Sequence, residues 1–235
     1  MNNYTDFSSD KININLILLD ESSSMNDDTE NVISGMLKFK HKFDNFPESS
    51  SIVISMCRFS DAFTPGEFKK IQDMDTSYEA YGNTALNYAI IQAVDYLKSY
   101  VDLVEEMTKI TPRVTFVVFS DGESWRDYAS EKDAKRALDK ANNLGWTTGY
   151  VAFGKEVSAE YGKRLGFMSV IDVDERETVG TFWAEELSKS FKEQSQRVNP
   201  LGEQFFSRAI KSTKSENYSS KSAQALEDDS WIDSI

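Results

Sequence analysis

Residues 12–24 read Ile-Asn-Ile-Asn-Leu-Ile-Leu-Leu-Asp-Glu-Ser-Ser-Ser, and their reading decides the fold. The stretch begins as an alternation (Ile12, Ile14, Leu16) and closes as an unbroken apolar run through Leu19. Such a run suits a central strand covered on both faces, as in parallel sheets. It stops at Asp20, and a serine-rich turn follows. Two further segments repeat the pattern. Residues 51–59 (Ser-Ile-Val-Ile-Ser-Met-Cys-Arg-Phe) and 113–120 (Arg-Val-Thr-Phe-Val-Val-Phe-Ser) are β-branched and apolar, and the second ends at Asp121-Gly122.

Between the strands the period changes to that of a helix. Residues 31–43 carry Val32, Ile33, Met36 and Leu37 at helical spacing, with Asp27, Asp28 and Glu30 near the start, where the macrodipole favours anions. From Thr84 a long helix is expected to about Lys109, with Leu86, Ala89, Ile90, Ala93, Val94, Leu97 and Val101 on one face. Helices are also expected over 130–144, with Gly145 as cap, over 159–165 and over 178–197; strands are expected over 147–153 and 168–173. Residues 63–71 contain Pro65 and Gly66 and read as an antiparallel edge strand. Strand and helix alternate almost throughout. The expected fold class is therefore α/β: a Rossmann-like, open, mostly parallel sheet with one antiparallel edge strand and helices on both faces. Residues 1–200 form the expected domain. Residues 201–235 form a C-terminal extension, with a short helix around Leu201, Phe205, Phe206 and Ile210, a Ser/Lys-rich flexible stretch, and an acidic end around Trp231.

Composition narrows the chemistry. Twenty-six Lys and Arg stand against 39 Asp and Glu, a formal net charge of −13 over 235 residues. This balance argues against direct nucleic-acid binding and against adhesion to anionic membranes, and suits a partner that is itself basic. The single cysteine, Cys57, and single histidine, His41, leave no material for a disulfide framework, a Cys-rich zinc site or a Ser-His-Asp triad. Cys57 reads as a buried small hydrophobe and His41 as solvent-facing. The polar start and the lack of a long apolar segment give a cytoplasmic expectation.

Three loops then converge at the carboxyl ends of strands, where open α/β sheets place their sites. They carry Asp20-Glu21-Ser22-Ser23-Ser24, Gly82-Asn83-Thr84 and Ser120-Asp121-Gly122. Of these, two carboxylates (Asp20, Asp121) and three hydroxyls (Ser22, Ser24, Thr84) are hard oxygen donors suited to Mg²⁺, Mn²⁺ or Ca²⁺. Taken singly, the serines and Thr84 serve equally as helix caps and Asp121 as a turn former; their joint placement favours a metal site. With this order of motifs, DxSxS (Asp20, Ser22, Ser24), then Thr84, then Asp121, the chain over residues 12–197 resembles the von Willebrand factor A family.

The resemblance implies a metal-ion-dependent adhesion site: the two serines, and in some states the threonine, bind the cation directly, while the aspartates act mostly through water. It implies a non-catalytic module that captures an Asp or Glu of a partner protein within a multiprotein assembly. Asp27 and Asp28, just past the motif, invite comparison with the second cation site of integrin β-subunits, or complement the helix dipole. Glu21, Asn83, Glu123 and Trp125 form a candidate partner-contact rim, Trp125 being equally suited to core packing; Asn83 and Asn87 flank Thr84, either to hold water or orient the loop, or as one turn residue and one surface residue. Two other readings stand beside this one. A metal-dependent phosphohydrolase of the haloacid dehalogenase kind also begins with an Asp after its first strand, but needs an acid two positions on, where this chain has Ser22. A structural subunit with an unused metal site is the third.

Overall fold

A computed structural model describes residues 11–122, 124–153, 159–173, 179–197 and 199–206. The expectations for Ile210, for the Ser/Lys-rich stretch, for the acidic end with Trp231, for the N-terminal ten residues and for Glu123 lie outside the described residues.

The first strand, β1 (Asn13–Asp20), is buried along its whole length. It is followed by α1 (Thr29–His41), β2 (Ile52–Phe59) and two short strands, β3 (Phe63–Thr64) and β4 (Lys69–Lys70). Then come α2 (Leu86–Thr108), β5 (Arg113–Ser120), α3 (Glu131–Asn143), β6 (Thr147–Phe153), α4 (Ala159–Leu165) and β7 (Ser169–Val173). The described chain continues with α5 (Val179–Thr181), which runs through a π-helical turn (Phe182–Leu187) into α6 (Ser188–Gln196). The strands form one seven-stranded sheet in the order β3-β2-β1-β5-β6-β7, with β4 also on β2. The pairs β1–β2, β1–β5, β5–β6 and β6–β7 are parallel; β3 and β4 pair antiparallel with β2.

The period of two along β1 divides the core. Ile12, Ile14, Leu16 and Leu18 join the α2–α3–α4 face with Leu86, Ile90, Leu97 and Phe116. Ile17 and Leu19 join the opposite face with Met36, Phe39, Trp183 and Phe191. The polar partners in the alternation, Asn13 and Asn15, are buried as well, and their amides donate to Ser51 Oγ at 3.0 Å and to the Val53 carbonyl at 3.1 Å. Burial on both faces is what the apolar run at residues 16–19 predicts.

Three boundaries differ from expectation, each for a local reason. The edge strand over 63–71 forms only as its two ends. Between them Pro65 has no N–H to donate, and Gly66 packs so tightly that a Cβ would stand 2.1 Å from the Met56 carbonyl oxygen. The Gly66 carbonyl leaves the ladder and accepts from Ser55 Oγ and Tyr96 Oη. Helix α2 begins at Leu86, not Thr84, because its cap comes from elsewhere in the chain, as described below. The helix expected over 178–197 contains the π turn, within which the consecutive residues Phe182, Trp183 and Ala184 are all buried. Leu201, Phe205 and Phe206, assigned by composition to the extension, are buried against the α6 face of the core.

Candidate metal centre

Strand order places the site. The chain leaves β1 for β2 on one side and later returns to β5 on the other, so the carboxyl ends of β1 and β5 lie side by side at the topological switch point. Asp20 closes β1 and Ser120 closes β5. Ser120 Oγ donates to Asp20 Oδ2 at 2.6 Å, joining the two strand ends directly.

Three loops meet above this junction and are hydrogen-bonded pairwise. The first and second are joined by Ser23, whose N–H and Oγ both reach the Gly82 carbonyl, at 3.1 and 2.9 Å. The second and third are joined by an isolated antiparallel bridge between Thr84 and Trp125, the Trp125 N–H donating to the Thr84 carbonyl at 2.8 Å. The first and third are joined by Ser24 Oγ, which donates to Asp121 Oδ1 at 2.9 Å and stands 3.0 Å from Ser22 Oγ. The structure thus brings Asp20, Ser22, Ser24, Thr84 and Asp121 to one rim. Asp20, Ser22, Thr84 and Asp121 are buried and Ser24 is exposed, so the cluster has a floor and one open side.

Burial dominates the electrostatics at the floor. It raises the Asp20 carboxyl to about 7, against hydrogen bonds from Ser120 and Ser22, and the Asp121 charge adds to the rise. Among the described residues no cationic side chain pairs with Asp20, and a divalent cation would supply the counter-charge. The donor set suits that role: hydroxyl and carboxylate oxygens with no soft ligand. Among the described residues no group of three or more His, Cys, Asp or Glu side chains gathers as a metal site, here or elsewhere; this cluster is built from hydroxyls and two carboxylates.

The remaining candidates divide. Trp125 is 65% exposed, on the rim and not in the core. Asn83 is half-buried and donates to Asp61 Oδ1 at 2.5 Å. Glu21 is not a rim residue: it is buried, with Arg58 Nε 3.2 Å from its carboxylate and the Glu79 N–H donating to it at 3.3 Å. Burial raises its carboxyl above the ordinary value, with Arg58 opposing the shift. Asn87 is not a surface residue either; it is buried and accepts from Tyr161 Oη at 2.9 Å. Asp27 faces solvent while Asp28 is buried, so the adjacent acids occupy different surroundings. Cys57 is buried, and His41 is exposed beside Asp44 at 3.0 Å.

Three contributors were not singled out from sequence. Ser120 carries no signal beyond its place in the Ser120-Asp121-Gly122 tripeptide. Tyr78 donates its hydroxyl to the Asp20 carbonyl, and the Tyr81 N–H donates to the Glu21 carbonyl at 2.6 Å, so residues 78–81 hold the DxSxS backbone in place. Asp127 caps α2 from the third loop, accepting from the N–H groups of Asn87 at 2.5 Å, Tyr88 at 3.1 Å and Ala129 at 2.9 Å, and from Ser124 Oγ. An acid two residues before an Ala-Ser is a weak signal, and its target lies 40 positions away. Asp127→Ala strands those donors, with an expected cost of about 2 kcal/mol. Hydrogen exchange should then accelerate in the first turn of α2; unchanged protection there would refute the capping role.

No protein-family model matches the sequence, and no curated protein matches it. Solved structures do. A pilus adhesin, SpaC from Lactobacillus rhamnosus GG, superposes with a TM-score of 0.63 at 11% identity, over 79% of this chain and 31% of the adhesin. The manganese-loaded TRAP protein of Plasmodium vivax gives 0.53 at 14% identity, over 74% of each chain. Proximal thread matrix protein 1 of the mussel byssus, with a zinc-occupied MIDAS motif, gives 0.55 at 16% identity, over 74% of this chain and 46% of that one. The chain therefore spans about a third of the adhesin and under half of the byssus protein. The architecture these comparisons define is that of a von Willebrand factor A domain. This chain has that fold, with the hydroxyl–carboxylate cluster at its switch point.

Proposed function

We infer that this chain is a metal-dependent protein-binding module. A divalent cation, Mg²⁺ or else Mn²⁺ or Ca²⁺, is held by Ser22, Ser24 and Thr84 with Asp20 and Asp121 behind them, and takes an Asp or Glu of a partner protein within a multiprotein assembly. The observation that carries this reading is the convergence of Ser22 Oγ, Ser24 Oγ and Asp121 Oδ1 within 3.0 Å steps above a buried Asp20. Neutral hydroxyls leave much of the cation's charge uncompensated, so an outside carboxylate gains by completing the shell. Manganese in one structural neighbour and zinc in another support a divalent ion here. The reading is one of binding and not of catalysis: the position two residues after Asp20 is Ser22, whose hydroxyl faces Ser24 in place of a general acid.

The test is capture from the native cell on immobilised full-length chain. A partner should bind in Mg²⁺, release in EDTA, and fail to bind to Ser24→Ala once circular dichroism shows that variant to be folded. A partner retained through EDTA and by the variant would show that the cation is not part of the interaction.

A further inference from the structure

Six large apolar side chains stand exposed among the described residues, and three of them, Tyr81, Trp125 and Tyr128, lie on the loops around the candidate metal centre. Their exposures are 54%, 65% and 78%. Each is held by a contact to a neighbouring segment. Tyr81 is tied to the Glu21 carbonyl, Trp125 to the Thr84 carbonyl, and the Tyr128 ring stands edge-on to Tyr88 with centroids 6.2 Å apart. Exposed aromatics on a fixed backbone bind with little ordering cost and are frequent anchors of protein interfaces.

Charge selects what they bind. Among the described residues, the loop segments around the candidate centre, 20–28, 60–62, 72–85, 121–122 and 124–130, contain one basic residue, Arg126, among many acids. Asp61 and Glu79 are exposed there, and Arg58 is committed to Glu21 and Asp75. An acidic or neutral segment is repelled or indifferent; a cationic one is drawn in, and guanidinium groups favour aromatic faces.

We propose that Tyr81, Trp125 and Tyr128 form a docking rim for a basic segment of the partner protein, whose Arg or Lys side chains lie on these rings beside the Asp or Glu that reaches the cation. The proposal rests on the binding function inferred above and names the chemistry of its partner.

The experiment uses isotope-labelled full-length chain in saturating Mg²⁺ and short capped peptides with one central Asp flanked by Arg, Ser or Glu. Binding is followed by calorimetry and by the indole resonance of Trp125. The Arg-flanked peptide should bind about tenfold more tightly than the Ser-flanked one, and the Glu-flanked one more weakly than either. In Trp125→Ala/Tyr128→Ala this Arg advantage should fall to about twofold with Mg²⁺ affinity unchanged. Equal binding of Arg- and Ser-flanked peptides, or an advantage undiminished in the double variant, overturns the rim. An Arg-flanked peptide with Asn at the centre separates the two readings. Full binding of that peptide in EDTA counts against the cation and leaves the rim standing, whereas loss of the Arg dependence counts against the rim alone.

Discussion

At about pH 8, Mg²⁺ in large excess over its dissociation constant should raise the melting temperature of the wild-type chain by several degrees and leave Asp20→Asn unmoved. The sign of the pH dependence follows from Asp20. Burial raises its carboxyl to about 7, so between the ordinary carboxylate range and neutrality the folded chain holds a proton that the unfolded chain has lost. Stability without metal therefore falls as pH rises through that window, by up to a few kcal/mol. Asp20→Asn removes the buried charge. It should make the metal-free chain more stable than wild type at about pH 8 and about equal to it near pH 4. The Mg²⁺ effect on wild type should shrink below neutrality, where protons compete for Asp20. A metal-free Asp20→Asn that is less stable than wild type at the higher pH would contradict this account of the site's floor.

The second large effect lies beneath the site. Trp183 is fully buried, stacks on Phe119 with centroids 4.3 Å apart, and meets Phe39 edge-on at 5.7 Å. Helix α1 approaches so closely here that a Cβ on Gly35 would stand 2.9 Å from the Trp183 Cβ. Trp183→Ala should cost about 3–5 kcal/mol by opening a cavity, seen as a drop in melting temperature of more than about 6 °C. Trp183→Phe should cost much less. It keeps an aromatic against Phe119 and removes an indole N–H that is buried without a hydrogen-bond partner. Because Phe119 immediately precedes Ser120 and Asp121, the cavity variant should also weaken Mg²⁺ binding. Equal stability of the Ala and Phe variants would refute the packing argument.

These two effects show what was legible in the sequence and what was not. The apolar runs ending at Leu19 and Phe119 announced strands buried on both faces, and a buried strand's carboxyl end is where a polar motif must emerge. The convergence of Asp20, Ser22, Ser24, Thr84 and Asp121 on one rim is therefore legible in the sequence pattern. Contacts set by register were not. Leu19 pairs with Arg58 across β1 and β2, which brings the guanidinium beside Glu21 and turns an apparent rim acid inward. The Asp127 cap on α2 joins two loops far apart in sequence and carries no local periodicity, so the helix seemed to begin at Thr84. The π turn arises from tertiary demand for three consecutive buried side chains, which no helical period encodes. Trp125 had two equal readings until its backbone bridge to Thr84 fixed it at the surface.

The most direct test of the central claim is anomalous diffraction from crystals of the full-length chain grown in Mn²⁺. The account predicts one strong manganese peak between Ser22 Oγ, Ser24 Oγ and Asp121, absent from crystals of Asp20→Asn grown in the same way. No peak at that position in wild type, or an undiminished one in the variant, would contradict it.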